Sequence, residues 1–462
     1  MSETLNQDLL DLTAGELVDQ LAARKVSALE LTEAAIARIE DRDRPINAVV
    51  VRDFDRARVA ARAADALLAK GERRPLLGLP MTVKESNNVE GLPTTWGSPA
   101  YAGWEAEADG AAVRRLKDAG AIILGKTNVP PFLSDWQSHN PIYGRTRNPW
   151  DLTRSPGGSS GGSAAALAAG MTPLEIGSDI GGSIRVPAAF CGVYGHKPTY
   201  GLVSMRGHSL PGVDGGPTPL SVAGPMARAP ADLQRALDVI AGPEPDEAKG
   251  YRLQLPQPRH ADLLDHRILV LSEHPLVATD GEVAAALETL ADRLDALGVA
   301  VFRGSDALPD LASQHRIYLG ILNTAMTRRA SGPAPIDAHA YMDLLDAQVA
   351  YRRLWAAFFE HFDAVIMPAF GTVAFPHDDS PDRGRRLAVG GQDTRYWDQL
   401  AWPGVALLPL LPSTAIPLGL SKGGLPIGAQ IMGAHLEDRT TIHLAGLLER
   451  EFGGFRPPPP LA

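Results

Sequence analysis

Residues 155–170 read SPGGSSGGSAAALAAG, with four serines and four glycines in the first nine positions and an alanine-rich stretch behind them. Gly/Ser runs commonly serve as flexible spacers. This one lies mid-chain, between NPIYGRTRNPW (140–150) and a helical pattern, with no change of composition across it. An anion cradle ahead of a helix is a second option, but the run lacks the Gly-Lys-Ser/Thr ending of a phosphate loop and fits no G-x-G-x-x-G register. G-x-S-x-G is satisfied around both Ser159 and Ser160. A nucleophile elbow, however, needs a buried strand running into its first glycine, and DLTRSP (151–156) is loop chemistry.

A second turn of the same texture follows, EIGSDIGGSIRVP (175–187), after an apolar approach. Such a turn can present consecutive backbone N–H groups, as an oxyanion hole requires. The plainer reading is that Gly181 and Gly182 permit a close chain crossing and Ser183 caps a helix. The proximity of two serine turns suggests one site made by both, and the chemistry alone weighs the two readings equally.

Outward from these turns the pattern is helix and strand in alternation, which argues for an α/β layered fold. Thr13/Glu16 and Ser27/Glu30 form capping boxes ahead of apolar-periodic stretches. The runs 76–83 (LLGLPMTV) and 121–124 (AIIL) suit buried strands. Asp280 can cap a helix with Val283, Leu287, Leu290, Leu294 and Leu297 on one face. The uncharged run 400–420 contains Pro403, Pro409, Pro412 and Pro417, which argues against a membrane span and for buried strand and turn structure. Residues 242–262, rich in Pro and charge, read as a loop or insertion, and 455–462 (FRPPPPLA) as an extended tail.

The lone Cys191 excludes a disulfide framework and a cysteine-rich zinc site, and reads as a buried small apolar residue. A formal charge of −10 argues against nucleic acid as partner. No signal-peptide pattern opens the sequence, so a cytoplasmic location is expected. The histidines fall in no metal-spaced pair, and no metal or cofactor is expected.

GGSSGGSAAALAAG followed by GSDIGGSIRVPAAFCGVYGHKPTYGLVS (177–204) resembles the amidase signature family, with weaker matches at 78–98, 120–150 and 424–441. The resemblance covers most of the chain. It implies a single α/β/α domain over 1–454, with its signature core at 78–240 and a large mixed, mainly parallel central sheet covered by helices. It also implies hydrolysis of amide C–N bonds, and at times of esters or carbamates, through a serine acyl-enzyme and a Ser-Ser-Lys triad. The positions it implies are Ser159 as nucleophile, Ser183 as bridging serine and Lys84 as base. The backbone of Ile180, Gly181, Gly182 and Ser183 would form the oxyanion hole, and the loop near Leu133 would line the substrate pocket. The sequence departs from the family pattern at Glu85, where aspartate is usual, and at His196, where an apolar residue is usual.

The chemistry is coherent on its own terms. A serine hydroxyl needs a base, and a lysine serves only when neutral, which at pH 7 holds for roughly one free lysine in a few thousand. Burial lowers that pKa, and Lys84 ends an apolar stretch. From residues alone Lys126 and Lys197 have comparable claims; the resemblance selects Lys84. Asp179 and Arg185 read as a pair bracing the second turn, Ser155 as a turn residue, Ser160 as a loop-orienting residue and Ser163 as a helix cap. The expected substrate is a small or aryl amide or a carbamate (aryl acylamidase or urethanase emphasis), with Leu133-Ser134-Asp135-Trp136 as an aromatic pocket wall. The alternative is the amidase component of an amidotransferase working with partner chains. The resemblance also allows a homodimer, for which no heptad or apolar stripe speaks.

Overall fold

Both capping boxes form. Thr13 Oγ1 accepts from the Glu16 N–H at 3.2 Å while Glu16 takes the Thr13 N–H at 2.8 Å, opening the helix Ala14–Ala22. Ser27 and Glu30 do the same for Ala28–Ile46. Each box satisfies two donors that a helix start otherwise leaves orphaned. The computed structural model describes residues 9–213, 215–328, 335–381 and 384–460.

The fold is mixed α/β, with an eight-stranded sheet covered by helices. From edge to edge its strands are Ala300–Phe302, Arg267–Val270, Ala364–Pro368, Pro426–Met432, Ser413–Leu420, Tyr194–Lys197, Val222–Ala227 and Leu174–Asp179. The sheet is mixed as expected, but it is not mainly parallel. Only the first three strands run parallel to one another, and every later neighbouring pair is antiparallel. Helix–strand alternation does not by itself fix strand direction. Ser413–Leu420 and Pro426–Met432, for example, are joined by a short turn and must pair antiparallel.

A separate three-stranded sheet carries the lysine. Ile122–Thr127 lies between Val49–Arg52, antiparallel, and Pro80–Lys84, parallel. Pro80–Lys84 is buried at every residue and packs on Leu174–Asp179 of the large sheet. The run 400–420 holds the expected strand, but also the helix Ala401–Leu407. Pro403 sits in that helix's first turn, where a missing N–H costs nothing. Asp280 does precede the helix Gly281–Leu297, yet its carboxylate accepts from Thr372 Oγ1 and the Gly390 N–H and makes no cap bond. Residues 242–262 contain one short 3₁₀ turn, Glu247–Lys249. No helix among the described residues is long and apolar enough to cross a membrane.

Candidate active site

Three elements meet behind one cleft. Lys84 is the last residue of its strand, Ser159 lies in the loop that enters the helix Gly161–Ala168, and Ser183 lies between the strand Leu174–Asp179 and the helix Arg185–Cys191. Lys84 Nζ is 2.6 Å from Ser159 Oγ and 2.9 Å from Ser178 Oγ. The two serine turns are tied together by the Ser160 N–H, which donates to the Ser183 carbonyl at 3.1 Å. The Gly158–Ser159 peptide bond is cis. Ser183 is 6% exposed and lines the cleft, whereas Ser159 is 1% exposed and lies behind it. The hydroxyl next to the lysine is therefore that of Ser159, which stands where Ser183 was expected to bridge.

Of the three lysines with a claim from sequence, only Lys84 meets serine hydroxyls. Lys126 donates to the Pro93 carbonyl and to Thr94 Oγ1, and Lys197 to the Pro198 carbonyl at 2.9 Å. Burial pushes the Lys84 amine down to about 7, against the pull of the Asp179 and Glu175 carboxylates toward the cation. Lys126 and Lys197 are lowered as well, to about 8 and about 7, chiefly by burial. A depressed pKa thus does not single out the base; the contact with Ser159 does. Ser178, not singled out in the sequence, is the lysine's second hydroxyl partner. It occupies the strand position two residues beyond an inward-facing Ile176, a period-2 signal that could have marked it.

The 180–183 turn is braced from below and from the cleft side. Asp179 accepts from the N–H groups of Gly182 (2.8 Å) and Ile184 (3.1 Å) and pairs with Arg185 through Nε and Nη2 at 3.0 Å each. Burial alone would raise the Asp179 carboxyl, but the Arg185 guanidinium, the Lys197 amine and the Gly182 N–H together hold it below the ordinary range. Arg185 continues to Gln430 Oε1 at 2.5 Å, so the expected Asp179–Arg185 brace is present and anchored to the large sheet. Gly182 is a correction among the expected oxyanion donors, because its N–H is committed to Asp179. Its need is steric: φ is +94°, and a Cβ would sit 2.7 Å from Pro403 Cγ. The N–H groups of Ile180, Gly181 and Ser183 have no hydrogen-bond partner among the described residues. Their turn is fixed instead through its carbonyls: Tyr318 Oη donates to Ile180 at 2.9 Å and Trp136 Nε1 to Gly181 at 3.1 Å.

The other small polar residues divide between loop and core. Ser155 Oγ donates to the Trp136 carbonyl and accepts from the Gly157 N–H, a turn role as expected. Ser160 lies at the cap position, its hydroxyl on the Ser178 backbone at 3.3 Å, while Ser163, expected as the cap, lies inside the helix with its hydroxyl 2.8 Å from Thr127 Oγ1. Glu85 turns away from the lysine amine and accepts from Thr95 Oγ1 and the Trp96 N–H. His196 is buried between Thr414 (2.9 Å) and Asp438 (3.0 Å) and ties its strand to the helix Asp438–Phe452. Cys191 is buried.

The cleft in front of Ser183 has a volume of about 640 Å³, the size of small-ligand pockets. Leu133, Ile180, Leu319, Leu322, Trp397 and Leu400 give it an apolar wall. Trp136 also reaches it, but is 2% exposed and packs edge-on against Phe370. Tyr318, Tyr396 and Trp397 escaped the sequence reading. The last two follow a Gly-Gly turn whose residues both have positive φ (58° and 73°), the signature of a tight hairpin. Among the described residues no group of three His, Cys, Asp or Glu side chains converges as a metal site.

The chain matches the family described as Amidase over residues 30–331 and 328–442. It is 35% identical to a glutamyl-tRNA(Gln) amidotransferase subunit of Acidothermus cellulolyticus, over 96% of this chain and 95% of that one. Among solved structures it resembles a chain of an inhibitor-bound vestigial protein complex bearing on the origins of an s-triazine catabolic enzyme (TM-score 0.83, 30% identity, 96% of this chain and 100% of that one). It also resembles 6-aminohexanoate cyclic dimer hydrolase (TM-score 0.80, 27% identity, 96% and 97%). With its fold, its glycine-serine turns and its match over nearly the whole length, the chain belongs to the amidase signature family of enzymes acting on carbon–nitrogen bonds.

Proposed function

We propose that the protein hydrolyses the C–N bond of small amides through an acyl-enzyme, with Ser183 as nucleophile, Ser159 as proton relay and Lys84 as base. This reverses the order of the two serines expected from sequence. The observation that carries it is the 2.6 Å approach of Lys84 Nζ to Ser159 Oγ, with Ser183 on the cleft wall. A relay must touch the base, and a nucleophile must face the substrate.

In the resting enzyme a neutral Lys84 accepts the Ser159 proton while Ser159 accepts that of Ser183, whose Oγ attacks the amide carbon. The developing oxyanion faces the free N–H groups of Ile180, Gly181 and Ser183, each such donor contributing on the order of 3–4 kcal/mol. Lys84, now a cation held by Asp179 and Glu175, returns its proton through Ser159 to the leaving nitrogen. An amine leaves poorly unless protonated, so this return path suits amides more than esters. Water then repeats the sequence on the ester of Ser183. Anilides and carbamates fit the apolar wall by the same chemistry.

A second reading is an amidotransferase component, favoured by the 35% identity to such a protein over the full length. Release of 4-nitroaniline from anilides by the isolated wild-type chain, with Ser183→Ala, Ser159→Ala and Lys84→Met each inactive, supports independent amide hydrolysis. No release without an added partner chain moves the assignment to the second reading.

A further inference from the structure

The cleft carries a cation that pairs with nothing among the described residues. Its lining includes Asp135, Arg385, Arg386, Arg395 and Asp398. Arg385 Nη1 donates to both carboxylate oxygens of Asp135 at 2.9 Å, and its guanidinium lies 4.8 Å from the Tyr396 ring centroid. Arg386 Nε donates to Asp393 Oδ2 at 2.9 Å. The Arg395 side chain has no hydrogen bond or ion pair among the described residues. Burial holds the His315 ring below its ordinary range, and Asp398, the remaining anion, opposes that shift without cancelling it.

The placement of Arg395 adds a second observation. It ends the second strand of the hairpin Arg386–Val389/Gln392–Arg395, directly across from Arg386. Like charges facing each other across a strand pair repel, and Asp393 relieves only the Arg386 side. In a chain of net charge −10, three arginines converge on one cleft wall, and one of them has no partner among the described residues.

Resting on the hydrolase reading above, we propose that Arg395 is a specificity residue. The preferred substrate is an amide that carries a carboxylate at the end remote from the scissile bond. The apolar body lies along Leu133, Leu322 and Trp397, and the carboxylate sits on the Arg395 guanidinium at the mouth. Because Arg395 is exposed, the preference is modest and salt-dependent, about fivefold at low ionic strength. A guanidinium suits this task because its planar donors match a carboxylate edge.

The test reads binding, so it stands apart from turnover. ω-Carboxy anilides with two to six methylenes, each beside its methyl ester, are titrated calorimetrically into Ser183→Ala. The same titrations are made in Ser183→Ala combined with Arg395→Gln or Arg395→Lys. The best-fitting acid should bind about fivefold tighter than its ester. That ratio should fall toward one in 0.5 M salt and with Arg395→Gln, and should survive only in part with Arg395→Lys, which keeps the charge but not the planar donors. A ratio of one for every chain length, no binding of any acid, or a ratio that persists with Arg395→Gln overturns the proposal. Failure of the hydrolase reading shows separately, as wild-type protein that releases no 4-nitroaniline.

Discussion

Turnover should climb tenfold per pH unit on the acid side and level off just above neutrality. The perturbation is pH alone, and the responding group is Lys84, which accepts a proton only when neutral. Burial brings its amine from an ordinary 10.5 to about 7, because a dry site disfavours the cation; Asp179 and Glu175 oppose that shift without cancelling it. At pH 5 about one Lys84 in a hundred is neutral, at pH 7 about half, and at pH 9 nearly all. The assay is kcat/KM for a 4-nitroanilide between pH 5 and 9.5 at constant ionic strength. A profile still rising a decade per unit at pH 9 would mean an ordinary, solvated lysine. A flat profile from pH 5 to 8 would mean another base.

The same shift fixes a stability trend. The unfolded chain holds the lysine proton up to about 10.4, while the folded one releases it near 7. Between those values the unfolded state binds more protons, so this contribution to stability rises with pH. Below pH 7 the full burial cost is present, on the order of 4–5 kcal/mol.

Lys84→Met should remove most of that cost, lose two hydrogen bonds of about 1 kcal/mol each, and raise stability at pH 7 by about 2 kcal/mol while turnover falls at least about 100-fold; urea unfolding beside the anilide assay checks both. Lys126→Met should keep kcat/KM within about threefold, since that amine serves the Pro93–Thr94 loop; a loss matching Lys84→Met would refute the choice of base. Asp179→Ala leaves Arg185 buried without its carboxylate and frees Gly182, so unfolding should become easier by about 3–5 kcal/mol and kcat should fall, read by denaturation and steady-state kinetics. Gly162→Ala would drive a Cβ into the Asn128 backbone, at a cost of about 1–3 kcal/mol in the same unfolding assay.

Local signals were the legible ones. S/T-x-x-E spacing found both helix starts, and apolar runs ending in Lys84 and Lys126 found two strands of the small sheet. The Asp179–Arg185 brace was readable because its partners are six residues apart on one turn. What could not be read depends on long-range contact. Which serine touches the base is decided by the approach of Lys84, at the end of its strand, to Ser159, in the loop ahead of the helix Gly161–Ala168, and no spacing encodes it. The direction of the central strands depends on how short connections close, which composition does not reveal. Pro403 misled because a proline breaks a helix interior but not its first turn. Trp397 and Arg395 were missed although LAVGGQDT is a hairpin signal, because a hairpin read alone does not say which cleft it covers.

The order of the two serines is the centre of the mechanism, and covalent labelling tests it most directly. Wild-type protein treated with a fluorophosphonate is digested, and the modified residue is located by tandem mass spectrometry. The adduct should lie on Ser183, persist at a reduced rate in Ser159→Ala, and vanish in Ser183→Ala. An adduct on Ser159 in the wild-type protein would contradict the assignment and restore the opposite order.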